Sequence, residues 1–117
     1  MKETFDISGW QKARDKKRLD REHRRKTLLN EAQQHVPDYF SKNRKEVKRV
    51  FLTGSVLEPE KFHQYSDIDI AVEGLPEAVY FRTKVELEEL LNVNVDLIEL
   101  ENCTFRDRIE TYGLRIV

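Results

Sequence analysis

The segment from residue 66 to residue 72 constrains the fold most strongly. It reads Ser-Asp-Ile-Asp-Ile-Ala-Val and alternates polar and apolar residues from Asp67 to Ile70. A period of two is the pattern of a β-strand with one buried face, so Asp67 and Asp69 share a face about 6 to 7 Å apart along the chain. Two carboxylates this close repel each other, and their burial is costly unless a cation or hydrogen-bond donors neutralise them. The strand therefore carries an acidic pair that is expected to bind a cation or to accept hydrogen bonds.

The rest of the chain predicts an α/β (α+β) fold in which helices cover a small mixed β-sheet. The strands are predicted over 48–53, 66–72 and 93–100. Helices are predicted over 10–36, 77–91 and a short final segment that ends at Gly113. Residues 114–117 can add an edge strand.

The first helix is predicted to be long and, over its first half, exposed to solvent. Ser8 or Gly9 can cap its start near Trp10, and nothing breaks it before Val36. Pro37 removes a backbone donor and disfavours a helical conformation at Val36, so we expect a break or a new short helix at this proline. The residues expected to face inward are Leu19, Leu28, Leu29, Ala32 and Val36.

Basic residues are concentrated in this helix. Residues 11–26 hold nine lysines and arginines against three acidic residues, although the whole chain has a formal net charge of -1. Such a run can bind an RNA backbone, or it can be a solvated face with contacts such as Glu22 to Lys26. We favour the solvated face, and RNA binding stays open.

Length and composition predict one domain outside the membrane. The 117 residues suffice for one hydrophobic core, so we expect a single domain over 1–117, with a helical segment 1–47 and a sheet region 48–117. No apolar run could cross a bilayer, and no apolar stretch follows the first charges as in a signal peptide. A cytoplasmic location is expected. Cys103 is the single cysteine, which excludes an intrachain disulfide.

Three features are expected to converge on one site: Gly54-Ser55 after the first strand, the acidic pair, and Asp96 in the third strand. If the strand of Asp96 lies beside residues 66–72, three carboxylates meet. Such a group suits Mg²⁺, which prefers hard oxygen ligands and substrate phosphates, and it can hold two ions about 4 Å apart. Gly54 lets the backbone approach phosphate oxygens, and the Ser55 hydroxyl can bind them.

These residues, in this order, resemble the signature of the polymerase-beta-like nucleotidyltransferase superfamily. That signature is Gly-Ser, a spacer of about ten residues, Ser-Asp-hydrophobic-Asp-hydrophobic, and a later hydrophobic-Asp-hydrophobic strand. Here it stands as Gly54-Ser55, Ser66-Asp67-Ile68-Asp69-Ile70 and Val95-Asp96-Leu97. The short chain is similar to the minimal branch, MNT, which includes the antitoxin halves of HEPN/MNT toxin–antitoxin pairs. The resemblance covers residues 48–117.

The resemblance implies a nucleotidyltransferase fold and a function. A member of this branch transfers a nucleoside monophosphate from a nucleoside triphosphate (NTP), which we expect to be ATP, to an acceptor hydroxyl with the help of Mg²⁺. Asp67 and Asp69 would each hold both metal ions, and Asp96 would hold one near the acceptor. The nucleotide-binding residues that it implies are Gly54, Ser55 and Ser66. A helical HEPN-type protein is the implied partner.

The segment after Gly54-Ser55 departs from the pattern of this branch. Residues 56–60 read Val-Leu-Glu-Pro-Glu, with two acids where members often carry arginine and another glycine. The cations that could compensate are Lys61, His63 and Lys84. Two other functions therefore stay open: a non-catalytic antitoxin-type module that neutralises a HEPN partner by contact, and an RNA-binding domain that uses the first helix. That helix also offers a surface for homo-oligomerisation.

Overall fold

The computed structural model describes residues 7–63 and 66–117, which form a four-stranded mixed sheet with helices on both faces. The α-helices are α1 (Ile7–Asn43), α2 (Tyr80–Leu91) and α3 (Arg106–Tyr112). The strands are β1 (Arg49–Thr53), β2 (Ile68–Glu73), β3 (Val95–Glu99) and β4 (Leu114–Arg115). Short 3₁₀ turns cover Gly54–Leu57, Glu77–Val79 and Leu100–Asn102. The predicted α+β architecture is confirmed, and residues 1–6 and 64–65 of the predicted segments lie outside the described residues.

The strand order β3-β2-β1-β4 places the acidic strand β2 inside the sheet. β1 runs antiparallel to β2 and to the edge strand β4, whereas β2 and β3 run parallel. Parallel neighbours need a crossover connection, and α2 provides it. The predicted neighbourhood of strands 66–72 and 93–100 is therefore correct.

Alternate residues of the strands build two hydrophobic clusters, one on each face of the sheet. The larger cluster joins α1 and α2 to one face through residues such as Ala32, Leu87 and Ile70, all of which are fully buried. The smaller cluster packs Ile109 of α3 against Phe51 on the other face. Because α3 covers only part of that face, the remaining part is open around the end of β1 and the beginning of β3.

α1 continues through Pro37 to Asn43, so the expected break is wrong. Val36 and Phe40, on either side of the proline, are both buried in the larger cluster, and the Tyr39 hydroxyl donates a 2.5 Å hydrogen bond to Glu86 of α2. These contacts outweigh the cost of an internal proline, about 3 kcal/mol, because most helix stability in proteins comes from tertiary packing.

Only the second half of α1 packs on the sheet. Leu28, Ala32 and Val36 are buried as predicted, but Leu19 is 67% exposed, so its predicted inward orientation is wrong. A 37-residue helix is about 55 Å long, and its first half extends past the sheet, where no element covers Leu19. Within the described residues, no helix is long and apolar enough to cross a membrane.

We predict that Pro37→Ala stabilises the protein by about 1 kcal/mol, because alanine restores a helical hydrogen-bond donor and relieves the clash with the preceding turn. Urea unfolding followed by circular dichroism measures the change. Pro59→Ala, in an exposed loop, is the control and should have little effect or reduce stability slightly. Destabilisation by Pro37→Ala would contradict a helix that is continuous through this position.

Candidate active site

Asp69 lies inside the sheet between the end of β1 and the beginning of β3. Its partner in the antiparallel ladder is Thr53, and its partner in the parallel ladder is Asp96. Neighbouring strands lie about 4.8 Å apart, so Asp69 and Asp96 project side by side from the face that α3 partly covers. Asp67 lies one residue before β2 and is exposed, and its negative charge is close enough to contribute to the raised pKa of Asp69. The structure thus brings together the three aspartates that the sequence singled out.

The environment of Asp69 disfavours its charged form. Burial raises its pKa to about 6, and the negative charges of Asp96 and Asp67 contribute to this shift. No cation or hydrogen-bond donor among the described residues lowers this pKa. The three aspartates are therefore a concentration of negative charge that no described residue neutralises at Asp69, and such a concentration favours the binding of a cation.

The donor set fits Mg²⁺ only with help from other ligands. Among the described residues, no group of three or more histidine, cysteine, aspartate or glutamate side chains is arranged to hold a metal ion. Mg²⁺, however, is usually bound through one or two carboxylates, with water and substrate phosphates completing its shell. The neighbouring Asp69 and Asp96 supply that number, and their uncompensated charge fits the ion.

Gly54 makes room for this carboxylate pair. Its φ of +79° lies in the left-handed region, and a Cβ atom at this position would overlap with the Asp69 carboxylate. Any other residue would meet both backbone strain and this clash, because only glycine lacks a Cβ. Gly54 also begins the 3₁₀ turn to Leu57, in which Ser55 is half-buried.

Arg25 of α1 holds this turn in place. Its guanidinium donates one hydrogen bond of 2.8 Å to the carbonyl of Val56 and two, of 2.9 and 2.6 Å, to Glu22. Arg25 is buried, unlike most cations of the basic run that the sequence assigned to a solvated face. A charge-assisted bond from a side chain fixed by a carboxylate is rigid, so α1 sets the position of the turn.

A cleft of about 1000 Å³ opens beside the carboxylate pair. Thr53, Gly54, Asp69 and Asp96 line one side, and Phe105, Arg108 and Tyr112 line the other. The second group was missed by sequence reasoning. Its spacing of three and four residues places the side chains on one face of α3, and that periodicity is the signal that could have identified them.

A network of ion pairs holds α3 against the sheet. Glu73 of β2 accepts hydrogen bonds from Arg49 at 2.8 and 3.2 Å and from Arg106 at 2.8 Å. Glu110 of α3 lies 2.7 Å from Arg49 and 3.1 Å from Arg106. The hydrogen bonds from Arg49, with the further contribution of Arg106, lower the pKa of Glu73 to about 2. The network therefore connects β1, β2 and the helix that carries the far wall of the cleft.

Ser66 and Asp67 lie at a second, smaller cleft of about 480 Å³. Its other lining residues are Arg24, Glu88, Asn92, Val93 and Asn94. Ser66 is buried, and its hydroxyl accepts a 2.9 Å hydrogen bond from the backbone N–H of His63, so it stabilises the turn before β2. The structure thus places Ser66 at the smaller cleft, and Ser66 is not among the residues that line the larger one.

Two of the cations proposed to compensate for the acidic loop are paired. Lys61 lies 3.5 Å from Glu58, and Lys84 lies 3.1 Å from Glu88. His63 is exposed. Arg108 is a cation that lines the larger cleft together with the carboxylate pair.

Comparisons with known proteins agree with this arrangement. The family model described as polymerase beta, nucleotidyltransferase matches residues 34–117. The chain belongs to this nucleotidyltransferase family. A comparison with curated proteins gives no match.

Solved structures show the same fold. A chain of a toxin–antitoxin structure with AMP-PNP is 25% identical, with a TM-score of 0.61, and the match covers 75% of this chain and 73% of that one. A chain of the MntA–HepT toxin–antitoxin is 23% identical, with a TM-score of 0.56 and coverage of 76% and 70%. A chain of a complex between the tri-AMPylated Shewanella oneidensis HEPN toxin and its MNT antitoxin is 24% identical, with a TM-score of 0.55 and coverage of 76% and 70%.

We predict that Asp69→Asn stabilises the metal-free protein in a pH-dependent way. Because the pKa of Asp69 is raised from 3.8 to about 6, the folded state loses stability as the pH rises from about 4 to above 6. After a discount for partial exposure, removal of the charge should add about 1 to 2 kcal/mol at pH 7.5.

Thermal unfolding in EDTA tests this expectation. The melting temperature of Asp69→Asn should exceed that of the wild type by roughly 5 °C at pH 7.5, and the difference should become small near pH 4. Glu89→Gln, at an exposed position of α2, is the control and should change little at either pH. An equal stability of Asp69→Asn and wild type at pH 7.5 would contradict the repulsion.

Proposed function

We propose that this nucleotidyltransferase moves a nucleoside monophosphate, with ATP as the donor and Mg²⁺ as the cofactor, onto the hydroxyl group of an acceptor. The observation that carries the proposal is the position of Asp69 and Asp96, side by side at the edge of a cleft and beside a glycine that admits no side chain. Neutralising developing charge and positioning the reacting groups are the main tasks of a phosphoryl-transfer site.

The larger cleft is the proposed nucleotide site. Phe105 and Tyr112 are exposed there and offer aromatic faces on which a base can stack. Arg108 lies on the same wall and can pair with phosphate oxygens in a bidentate manner. Its position compensates for the acidic residues that follow Gly54-Ser55, and it gives the triphosphate a cation that the first turn lacks.

Each aspartate has a proposed role. Asp69 and Asp96 hold Mg²⁺, with Asp67 as a further ligand at the beginning of β2. When bound, Mg²⁺ supplies positive charge to the phosphate oxygens and lowers the pKa of an attacking hydroxyl. The acceptor oxygen bonds to the α-phosphorus, the bond to the bridging oxygen breaks, and pyrophosphate leaves with the electron pair. Asp96 is the group proposed to take the acceptor proton.

A HEPN-type protein is the proposed acceptor and partner. The complex of the tri-AMPylated HEPN toxin with its MNT antitoxin supports AMP as the transferred group and a protein as the acceptor, since a chain of that complex has the fold found here. The toxin–antitoxin structure with AMP-PNP supports an adenine nucleotide in the cleft. The proposed pairing combines neutralisation by contact with modification of the bound partner.

We predict that Asp96→Asn reduces nucleotide transfer at least 100-fold, because loss of one carboxylate removes several kcal/mol of electrostatic stabilisation of the transferred phosphoryl group. The assay incubates the protein, alone and with any HEPN-type partner that co-purifies with it, with α-labelled ATP and Mg²⁺, and detects labelled acceptor by gel and mass. Glu89→Gln is the charge-matched control and should retain full activity. A wild type that binds its partner but labels nothing with any of the four nucleotides would favour the non-catalytic antitoxin-type module.

We predict that Arg108→Gln raises the KM for ATP about tenfold and changes kcat less, because the guanidinium contributes a charge-assisted hydrogen bond to the bound triphosphate. Arg82→Gln, an exposed position on α2, removes the same charge away from the cleft and should leave the KM unchanged. Equal KM values for the two variants would exclude Arg108 from the nucleotide site.

A further inference from the structure

The first half of α1 carries a row of side chains that the proposed transfer reaction does not use. The row, here named the basic stripe, comprises Trp10, Arg14, Lys17, Arg21 and Arg24. Their spacing of three or four residues places them within an arc of about 80° on the helix surface. The family match begins at residue 34, so the stripe lies outside the segment that defines the family.

The stripe is a continuous exposed surface of positive charge. All five side chains are exposed, and Lys17, Arg21 and Arg24 form no ion pair with any residue that the structure describes. The acidic residues of this half of α1, Asp15, Asp20 and Glu22, fall outside the arc of the stripe. From Arg14 to Arg24 the stripe is about 15 Å long, which matches about four phosphates of a stacked strand at 3.4 Å each.

Trp10 adds an aromatic platform at the outer end of the stripe. It is 55% exposed, and the guanidinium of Arg14 lies 4.8 Å from its ring centroid. Proteins that bind single-stranded nucleic acids combine a basic track for the backbone with aromatic faces on which bases stack. A helical protein partner would instead need apolar anchors at successive turns, and between Arg14 and Arg24 the stripe presents none.

At its inner end the stripe reaches the site. Arg24 lines the smaller cleft together with Asp67, and the other polar side chains of that cleft are Ser66, Asn92, Asn94 and Glu88, whose charge is paired with Lys84. Amide groups can donate to and accept from a ribose 2′-hydroxyl, which distinguishes RNA from DNA. The smaller cleft and the stripe therefore form one polar path from the outer end of α1 to the row of aspartates.

We propose that the basic stripe binds single-stranded RNA, with the phosphate backbone along α1, a base on Trp10, and one end of the strand in the smaller cleft beside Asp67. Binding depends on the stripe and not on nucleotide transfer, so it persists in a catalytically inactive protein. This RNA is a ligand in addition to the nucleotide of the larger cleft.

Fluorescence anisotropy with a labelled 12-nucleotide oligoadenylate tests the proposal on the full chain at 50 mM salt. The stripe variant Lys17→Gln/Arg21→Gln should bind at least tenfold more weakly than the wild type, and the slope of log K against log salt should fall by about one to two. Lys12→Gln/Lys16→Gln is the matched control, because it removes the same charge from the opposite side of the same helix. It should weaken binding less than threefold.

Three further measurements complete the test. Circular dichroism establishes that both double variants retain the helix. The Trp10→Ala variant should bind RNA about five- to tenfold more weakly, because it loses base stacking. A DNA oligomer of the same sequence should bind more weakly than RNA. An equal loss of RNA affinity in the two double variants would show that only the total positive charge matters, and it would overturn the proposal. Absence of RNA binding at 50 mM salt would also overturn it and would favour an acidic protein as the partner of the stripe.

Discussion

The burial of the Asp69 carboxylate beside a second carboxylate, Asp96, on the neighbouring strand is the constraint on which this site depends. Asp69 and Asp96 are opposite each other in a parallel ladder, and the sheet offers no cation among its described residues to neutralise them. The arrangement costs stability in the absence of a ligand, and such a cost is typical of sites that bind a charged cofactor. Gly54 is required for the same reason, because a Cβ atom at this position would occupy the space of the Asp69 carboxylate.

The remaining structure fixes the two walls around this charge. Arg25 connects the long helix to the turn that follows Gly54, and the arginine–glutamate network connects α3 to the sheet. Ion pairs on a protein surface contribute little when isolated, but a network of bidentate arginines is geometrically specific. The Arg25 hydrogen bonds position the turn after Gly54, and the arginine–glutamate network positions α3; neither set of side chains lines the larger cleft. The walls are thereby held at a fixed distance from the carboxylates, as phosphoryl transfer requires.

Much of this arrangement could be predicted from the sequence. Period-two alternation identified β2, and the predicted neighbourhood of this strand and the strand of Asp96 is confirmed by the pairing of Asp69 with Asp96. Local sequence patterns gave wrong predictions where tertiary contacts determine the structure. α1 continues through Pro37 because Val36 and Phe40 are buried in the core, and Leu19 is exposed because the first half of α1 extends past the sheet. The wall around α3 was missed because the spacing of Phe105, Arg108 and Tyr112 marks one side of a helix but matches no functional motif. Their role depends on how the helix crosses the sheet, which sequence spacing alone does not determine.

Metal binding tests the central claim, that the carboxylate pair is a cation site, most directly. Electron paramagnetic resonance measures free Mn²⁺, a paramagnetic substitute for Mg²⁺, during titration of the protein in the presence and absence of a non-hydrolysable ATP analogue. The account predicts that the wild type binds Mn²⁺, that the analogue strengthens binding by adding phosphate ligands, and that Asp69→Asn weakens it at least tenfold relative to Glu89→Gln. Identical Mn²⁺ affinities of the two variants would contradict the assignment of this pair as the metal site.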